Sequence, residues 1–246
     1  MKLLLLGTSG YHPSDERHTA CLMLPELGVV LDAGSAMYRV RDHLVTDELD
    51  IFLTHPHLDH VLGLTFLFDV LYGRTMQRVT VHADRGTIDA VEQHVFAPAV
   101  FPVRPPFEFA ELRGPVALPH GGRLSYFHVE HPGGALGFRL DWPGRSMAYV
   151  TDTTATPSAS YVEDIRGVDL LVHECYFSDS LPDLAAKTGH SCMTPVAEVA
   201  AAAKVGQLVL VHINPLSLEL DPFDVSVARR VFPNTTLGED KLAIEF

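Results

Sequence analysis

Short apolar runs recur along the chain, each ending in a turn built of Gly, Asp, Thr or His. Runs rich in Leu, Val and Ile and bounded by such turns read as buried strands. They predict strands at 1–6, 20–24, 28–31, 51–53, 79–82, 107–112, 124–129, 136–140, 146–150 and 208–211. Longer apolar stretches predict helices at 35–44, 61–72, 85–95 and 194–204, with 46–50 as a polar connection. The helix at 61–72 is apolar nearly all round, as a helix buried on several sides is. Strands interleaved with helices indicate an α/β protein. Residues 98–106 carry four prolines and read as an extended connector, the best candidate for a join between two halves.

Composition narrows the class. The 246 residues suffice for one large domain spanning 1–246, with 47% hydrophobic and 20% charged residues, an ordinary globular balance. No apolar run approaches a membrane span. The four leucines after Met1-Lys2 are too few for a signal peptide, because Gly7-Thr8-Ser9-Gly10 turns the chain at once. Cys21, Cys175 and Cys192 have no zinc-finger spacing and cannot all pair, which fits a reducing cytoplasm. A net charge of −13, without a dense Lys/Arg cluster, opposes nucleic-acid binding at long range.

The chemistry gathers at Thr54-His55-Pro56-His57-Leu58-Asp59-His60, directly after the apolar Ile51-Phe52-Leu53. Three imidazoles and a carboxylate at a strand-to-helix turn suit divalent metals of the zinc, manganese or iron kind. Other candidates also follow strands. His131 opens a Gly-rich turn, Asp152 follows Tyr149-Val150-Thr151, and His212 closes Leu208-Val209-Leu210-Val211. Strand ends of this kind are where α/β sites lie. His82 holds a comparable position, His128 competes with His131, and His12 and His18 read as loop residues. The loop at 7–10 could cradle phosphate by its N–H groups, but no Gly-Lys-Ser/Thr follows to make a P-loop.

The pattern His-x-His-x-Asp-His resembles the signature of the metallo-β-lactamase superfamily. The resemblance implies a four-layer αβ/βα sandwich and two divalent ions per chain, zinc or manganese. It assigns His55, His57 and His131 to one ion, Asp59, His60 and His212 to the other, and Asp152 to both. His131 stands six residues before Gly137-Phe138-Arg139, the context of a metal histidine in ribonuclease Z-like proteins. Val172-His173-Glu174-Cys175-Tyr176-Phe177 resembles their His-Glu-Ala-Thr-Phe element, and Gly189-His190-Ser191 their Gly-His-Ser/Thr element. By that likeness His190 is the general acid and Glu174 its partner, while Asp59 orients a metal-activated hydroxide. Cys175 and Tyr176 depart from the pattern.

In ribonuclease Z a long arm grips tRNA. Here only residues 132–151 separate His131 from Asp152, room for two strands and a turn at Trp142-Pro143-Gly144. The likeness is therefore to armless relatives, cyclic-nucleotide phosphodiesterases of the anti-Pycsar type among them. The expected activity is hydrolysis of a small, cyclic phosphodiester by a cytoplasmic homodimer. Two alternatives stand beside it: a ribonuclease Z-type endonuclease for tRNA 3′ ends, and a non-catalytic metal-binding or sensory protein on the same fold.

Overall fold

The computed structural model describes residues 1–216 and 223–246. The chain divides into two compact units, Met1–Gly114 with Glu239–Glu245, and Pro115–Gly238 with Phe246. The boundary thus falls after the proline-rich segment 98–106. That segment belongs to the first unit because the chain beyond it adds one more strand to the first sheet.

The first unit is a seven-stranded mixed sheet. β1 (Lys2–Gly7), β2 (Cys21–Leu24) and β3 (Val29–Leu31) form an antiparallel series, with the C-terminal strand Leu242–Glu245 antiparallel on the outer side of β1. β4 (Glu48–Phe52), β5 (Arg78–Ala83) and β6 (Glu108–Glu111) continue parallel from β3. β4 begins inside the stretch expected to be a polar connection, because Glu48 and Asp50 pair in register with Arg78 and Thr80 of β5. Arg78 also bonds the carboxylates of Glu48 and Asp50.

Four short helices line this unit: α1 (Val40–His43), α2 (Leu58–Val61), α3 (Leu67–Leu71) and α4 (Arg85–Ala90). Met37, Val40, Val61, Leu64, Leu67, Val70 and Ile88 bury one sheet face with Leu4, Met23, Val30, Ile51 and Val81. Full burial of each such side chain stabilises by about 1.5–3 kcal/mol. On the other face Leu3, Leu5, Leu22, Leu24, Leu31 and Phe52 are equally buried, which is why the strands read as unbroken apolar runs.

The single helix expected at 61–72 is instead α2, a 3-10 turn over Leu62–Phe66, and α3. The break is at Gly63, whose N–H bonds the Ala33 carbonyl at 2.7 Å. A Cβ there would meet the Gly34 carbonyl oxygen at 2.2 Å, so only glycine permits this approach. The result buries one side and leaves Leu58, Leu62, Phe68 and Tyr72 exposed at 65, 42, 44 and 75%.

The second unit is also a seven-stranded sheet. β7 (Val116–Leu118), β8 (Gly122–Val129), β9 (Ala135–Trp142) and β10 (Arg145–Val150) form an antiparallel series. β11 (Leu170–Glu174), β12 (Gln207–Val211) and β13 (Thr235–Leu237) then add in parallel. β9 and β10 meet in a two-residue loop, Pro143-Gly144, with Gly144 at φ 80°. α5 (Tyr161–Asp164), α6 (Pro182–Thr188), α7 (Met193–Ala203) and α8 (Ser226–Val231) accompany this sheet. Met193, Val196, Ala200 and Ala203 of α7 pack with Ala148, Val150, Leu171, Leu208 and Leu210.

Two mixed sheets with helices are the elements of the α/β metallo-β-lactamase fold expected from the sequence. Among the described residues no helix is long and apolar enough to cross a membrane.

Candidate functional site

In the first unit the histidine motif follows β4, where a parallel sheet opens at its strand ends. His55 and His60 are buried, Asp59 is half-buried, and His57 is exposed at the N-cap of α2. The ring centroids of His55 lie 4.4 Å from His57 and 4.2 Å from His60. His55 and His57 each offer a ligand atom within 4.8 Å of the other, as do Asp59 and His60.

Asp32 holds this cluster, a role the sequence reading did not give it. It follows β3, is fully buried, and sits in the left-handed region at φ 58°. His60 Nδ1–H donates to its Oδ2 at 2.9 Å. The Thr54 N–H donates to Oδ1 at 2.8 Å, and the Thr54 hydroxyl donates to the same carboxylate. That hydroxyl oxygen accepts in turn from His55 Nδ1–H at 3.0 Å. Both rings are thereby held as the Nδ1–H tautomer, with the lone pair on Nε2. This is the arrangement metal-binding histidines take, one nitrogen anchored and the other left to ligate. The only signal in the sequence was an Asp-Ala-Gly after a short strand, which any turn could carry. The Asp59 carboxylate accepts from the Tyr11 N–H at 2.8 Å.

Other first-unit candidates have structural roles. His82 is buried, stacks on Phe52 with centroids 4.4 Å apart, and bonds Asp50 at 2.7 Å. Although burial opposes it, the hydrogen bonds from His82 and Arg78 hold the Asp50 carboxyl below its ordinary range. The 7–10 loop is no phosphate cradle. The Thr8 N–H and hydroxyl already donate to Asp240, and the Ser9 N–H donates to the His18 carbonyl. His12 and His18 stand outside the ligand clusters found among the described residues.

In the second unit three candidates lie at one sheet edge. Asp152 follows β10, Glu174 ends β11 and His212 follows β12, strands that run parallel and in register. His212 is left-handed at φ 57°, as Asp32 is in the first unit. Non-glycine residues in that region mark constrained positions, often functional ones. Asp152 places Oδ1 3.1 Å from His212 Nε2 and Oδ2 3.6 Å from His131 Nε2. The carboxylate thus turns one oxygen toward each of two imidazoles. His131 Nδ1–H donates to the Gly189 carbonyl at 3.0 Å, again leaving Nε2 with the lone pair. Gly189 is required there: at φ 75°, a Cβ would meet Pro132 Cδ at 2.3 Å. His128, the competitor, is exposed on β8 and outside the clusters.

His190 lies beside this group. Asp152, His190 and His212 offer ligand atoms mutually within 4.8 Å, so His190 has the reach of a ligand as well as of an acid. Its Nδ1 is 3.6 Å from Glu174 Oε1. Glu174 is fully buried and accepts backbone N–H bonds from Thr153 at 3.2 Å and Tyr176 at 3.0 Å. Ser191, the last residue of the Gly189-His190-Ser191 element, ties the two loops: its hydroxyl donates to the Thr153 carbonyl and accepts from the Ala155 N–H. Below them His173 donates from Nδ1 to the Glu174 carbonyl and accepts from the Tyr161 hydroxyl. Burial holds His173 below its ordinary pKa. It pushes the Tyr161 phenol up, with the Glu174 charge adding to that shift.

The donor set of each unit therefore suits a divalent ion of the zinc kind: imidazoles, of which His55, His60 and His131 are anchored through Nδ1, with carboxylates beside them.

Residues 29–213 match the Beta-lactamase superfamily domain. Ribonuclease Z of Bradyrhizobium diazoefficiens is 30% identical over 299 aligned positions, covering 97% of each chain. Ribonuclease Z of Synechococcus sp. is 28% identical, covering 100% of this chain and 98% of its own. Among solved structures, the metallo-β-lactamase fold protein YhfI from Bacillus subtilis superposes with a TM-score of 0.81 at 17% identity, covering 99% of both chains. The short form of human tRNase Z gives 0.77 at 20%, covering 100% of this chain and 99% of that one. A diphosphatase from the PhnP family gives 0.74 at 21%, with coverage of 100 and 97%. The chain belongs to the β-lactamase superfamily, in the branch that includes ribonuclease Z.

Proposed function

We propose that this chain, a metal-dependent phosphodiester hydrolase by its family and its relatives, acts on a small cyclic phosphodiester such as a cyclic nucleotide. In this reading it holds two divalent ions, zinc or manganese. His55, His57 and His131 serve one, Asp59, His60 and His212 the other, and Asp152 both. The ions supply the Lewis acidity that polarises a phosphodiester and activates water. Asp59, steadied by the Tyr11 N–H, orients the nucleophile. His190 passes a proton to the departing oxygen, and Glu174 keeps a negative charge beside the imidazolium.

The observation that carries the small-substrate reading is length. The alignment with the Bradyrhizobium enzyme runs over 299 positions, 53 more than this chain has residues, so that relative carries segments without counterparts here. The β9–β10 hairpin, closed by two residues, has no room for an arm. Binding tRNA needs many Lys/Arg–phosphate contacts, and this chain has 18 basic against 31 acidic residues.

The relatives, named Ribonuclease Z, weigh for a second reading over a cyclic nucleotide, a ribonuclease Z-type endonuclease for tRNA 3′ ends. The two separate in one experiment, with a cyclic nucleotide and a pre-tRNA offered to the metal-loaded protein at low and at physiological salt. Turnover of the cyclic nucleotide with little cutting of pre-tRNA supports the first. Position-specific cutting at physiological salt, with no cyclic-nucleotide turnover, establishes the second. Retained metal with turnover of neither would leave the non-catalytic, metal-binding alternative. The proposal also includes a cytoplasmic homodimer that covers the exposed Leu58, Leu62, Phe68 and Tyr72.

A further inference from the structure

The segment that carries Glu174 departs from the ribonuclease Z pattern at one residue with an evident physical consequence. Where the family element has a threonine, this chain has Tyr176, and its ring lies against His190. The two rings stack with centroids 4.7 Å apart and planes 20° apart. His212 completes a triangle of rings, 5.4 Å from His190 and 5.7 Å from Tyr176. The Tyr176 ring is itself backed edge-on by Phe177 at 4.8 Å. Phe177 is buried with Ala185 and Cys192, and its N–H bonds the Ser191 carbonyl at 3.1 Å. The backbone acts on the same pair, since the Tyr176 N–H is one of the two donors that fix the Glu174 carboxylate.

We propose that Tyr176 is a positioning residue for His190, fixing the plane of the imidazole so that Nδ1 stays on Glu174 and the opposite nitrogen stays on the leaving oxygen. This rests on the reading of His190 as general acid. A carboxylate 3.6 Å from Nδ1 acts at one edge of the ring, and by itself it would leave the imidazole freedom of rotation about its side-chain bonds. A ring stacked on its face removes that freedom, and proton transfer is sensitive to small errors of aim. A threonine has no face to offer. In this chain the ring therefore takes over what a small residue cannot do, through stacking and without its hydroxyl.

The test compares the metal-loaded wild type with Tyr176→Phe, Tyr176→Leu and Tyr176→Ala. Two substrates are used: a cyclic nucleotide, whose alkoxide needs a proton to leave, and bis(p-nitrophenyl) phosphate, whose phenolate does not. Tyr176→Phe is expected to keep kcat within about twofold on both. Tyr176→Leu, which fills the space without a flat face, should lower kcat for the cyclic nucleotide by about threefold to tenfold, with KM and metal content unchanged. On the nitrophenyl ester it should match the wild type. Added to His190→Ala, Tyr176→Leu should cause no further loss. If Tyr176→Ala unfolds, Tyr176→Leu and Tyr176→Phe still decide the matter.

A rise in KM in place of a fall in kcat would mean that Tyr176 touches substrate. Equal losses on both substrates would mean a structural role, and a loss in Tyr176→Phe would put the role in the hydroxyl. Each of these overturns the inference. If the wild type hydrolyses both esters and Tyr176→Leu equals it, the inference fails alone. If the wild type hydrolyses neither, the phosphodiesterase reading fails and takes the inference with it.

Discussion

Replacing Asp32 by asparagine removes a charge and changes little else. Asparagine has the same shape and tolerates the left-handed region better than most residues, so the φ of 58° adds no new strain. The amide oxygen can keep the Thr54 N–H, now 2.8 Å from Oδ1. The amide NH2 then faces His60 Nδ1, which donates to Oδ2 at 2.9 Å in the native protein. Two donors cannot bond each other. Either His60 Nδ1–H goes unsatisfied in a fully buried place, or the ring moves its proton to Nε2.

The first outcome costs about 1–3 kcal/mol of stability. The second places a proton on the nitrogen read as a metal ligand, and loss of such an outer partner costs about 10- to 100-fold in metal affinity. Asp32→Asn should therefore weaken zinc binding by that factor, measured by competition with a chelator. Urea unfolding of the metal-free protein should show a loss within the stated range. Asp32→Ala, which strands the Thr54 donors as well, should be less stable still. Zinc affinity equal to wild type in a folded Asp32→Asn protein would refute the view that this carboxylate sets the His60 tautomer.

His57→Ala and Asp152→Ala should each lose bound metal and activity together, read by metal analysis and turnover on the same preparation; an active, metal-free Asp152→Ala would sink the two-metal reading. His190→Ala should keep its metal and lose roughly a hundredfold in turnover on an alkoxide-leaving substrate, and less on a nitrophenyl ester. Light scattering at micromolar concentration should give a dimer mass, with Phe68→Glu shifting it toward monomer; a wild-type monomer mass counts against the homodimer. His173 has a folded pKa below its unfolded value of about 6.5, so its contribution to stability is complete above that pH. It is lost as pH falls from there through the folded pKa. His173→Gln, which can still donate to the Glu174 carbonyl and accept from Tyr161, should flatten the acid side of the urea-midpoint profile; an unchanged slope removes His173 as a cause.

The strands and their chemistry were legible because each ligand candidate stands just past an apolar run, and those runs form strands much where read. What escaped was held by backbone. Gly63 breaks the helix expected at 61–72 through a bond to Ala33, a contact far away in sequence. β7 has three residues between Pro115 and Pro119, too few to show a period. The strand start at Glu48 depends on pairing with Arg78 across the sheet. The roles of Asp32 and Ser191 escaped for a different reason: in Asp32-Ala33-Gly34 and Gly189-His190-Ser191 either one reads as an ordinary turn residue. Their partners, His60 and the Thr153 carbonyl, are revealed only by the fold.

The two units use one device for different chemistry. In each, the residue after a parallel strand is a non-glycine in the left-handed region, Asp32 after β3 and His212 after β12. That conformation ends the strand abruptly and turns the side chain across the sheet edge. In the first unit it delivers an anion behind His60 and Thr54, which it fixes by hydrogen bonds. In the second it delivers a histidine toward Asp152, a carboxylate placed between two imidazoles. The outer support there comes from the Gly189 carbonyl and from the Glu174 network. The first unit is thus built to anchor His55 and His60 through Nδ1. The second sets a carboxylate between two imidazoles, with His190 beside it. Under the two-metal reading, strain at His212 bears on metal binding, and strain at Asp32 on the tautomer that would allow it. His212→Asn, which relieves the backbone but removes an imidazole, should raise the stability of the metal-free protein while costing it metal. A His212→Asn protein that gains no stability would show that the left-handed turn is held without strain.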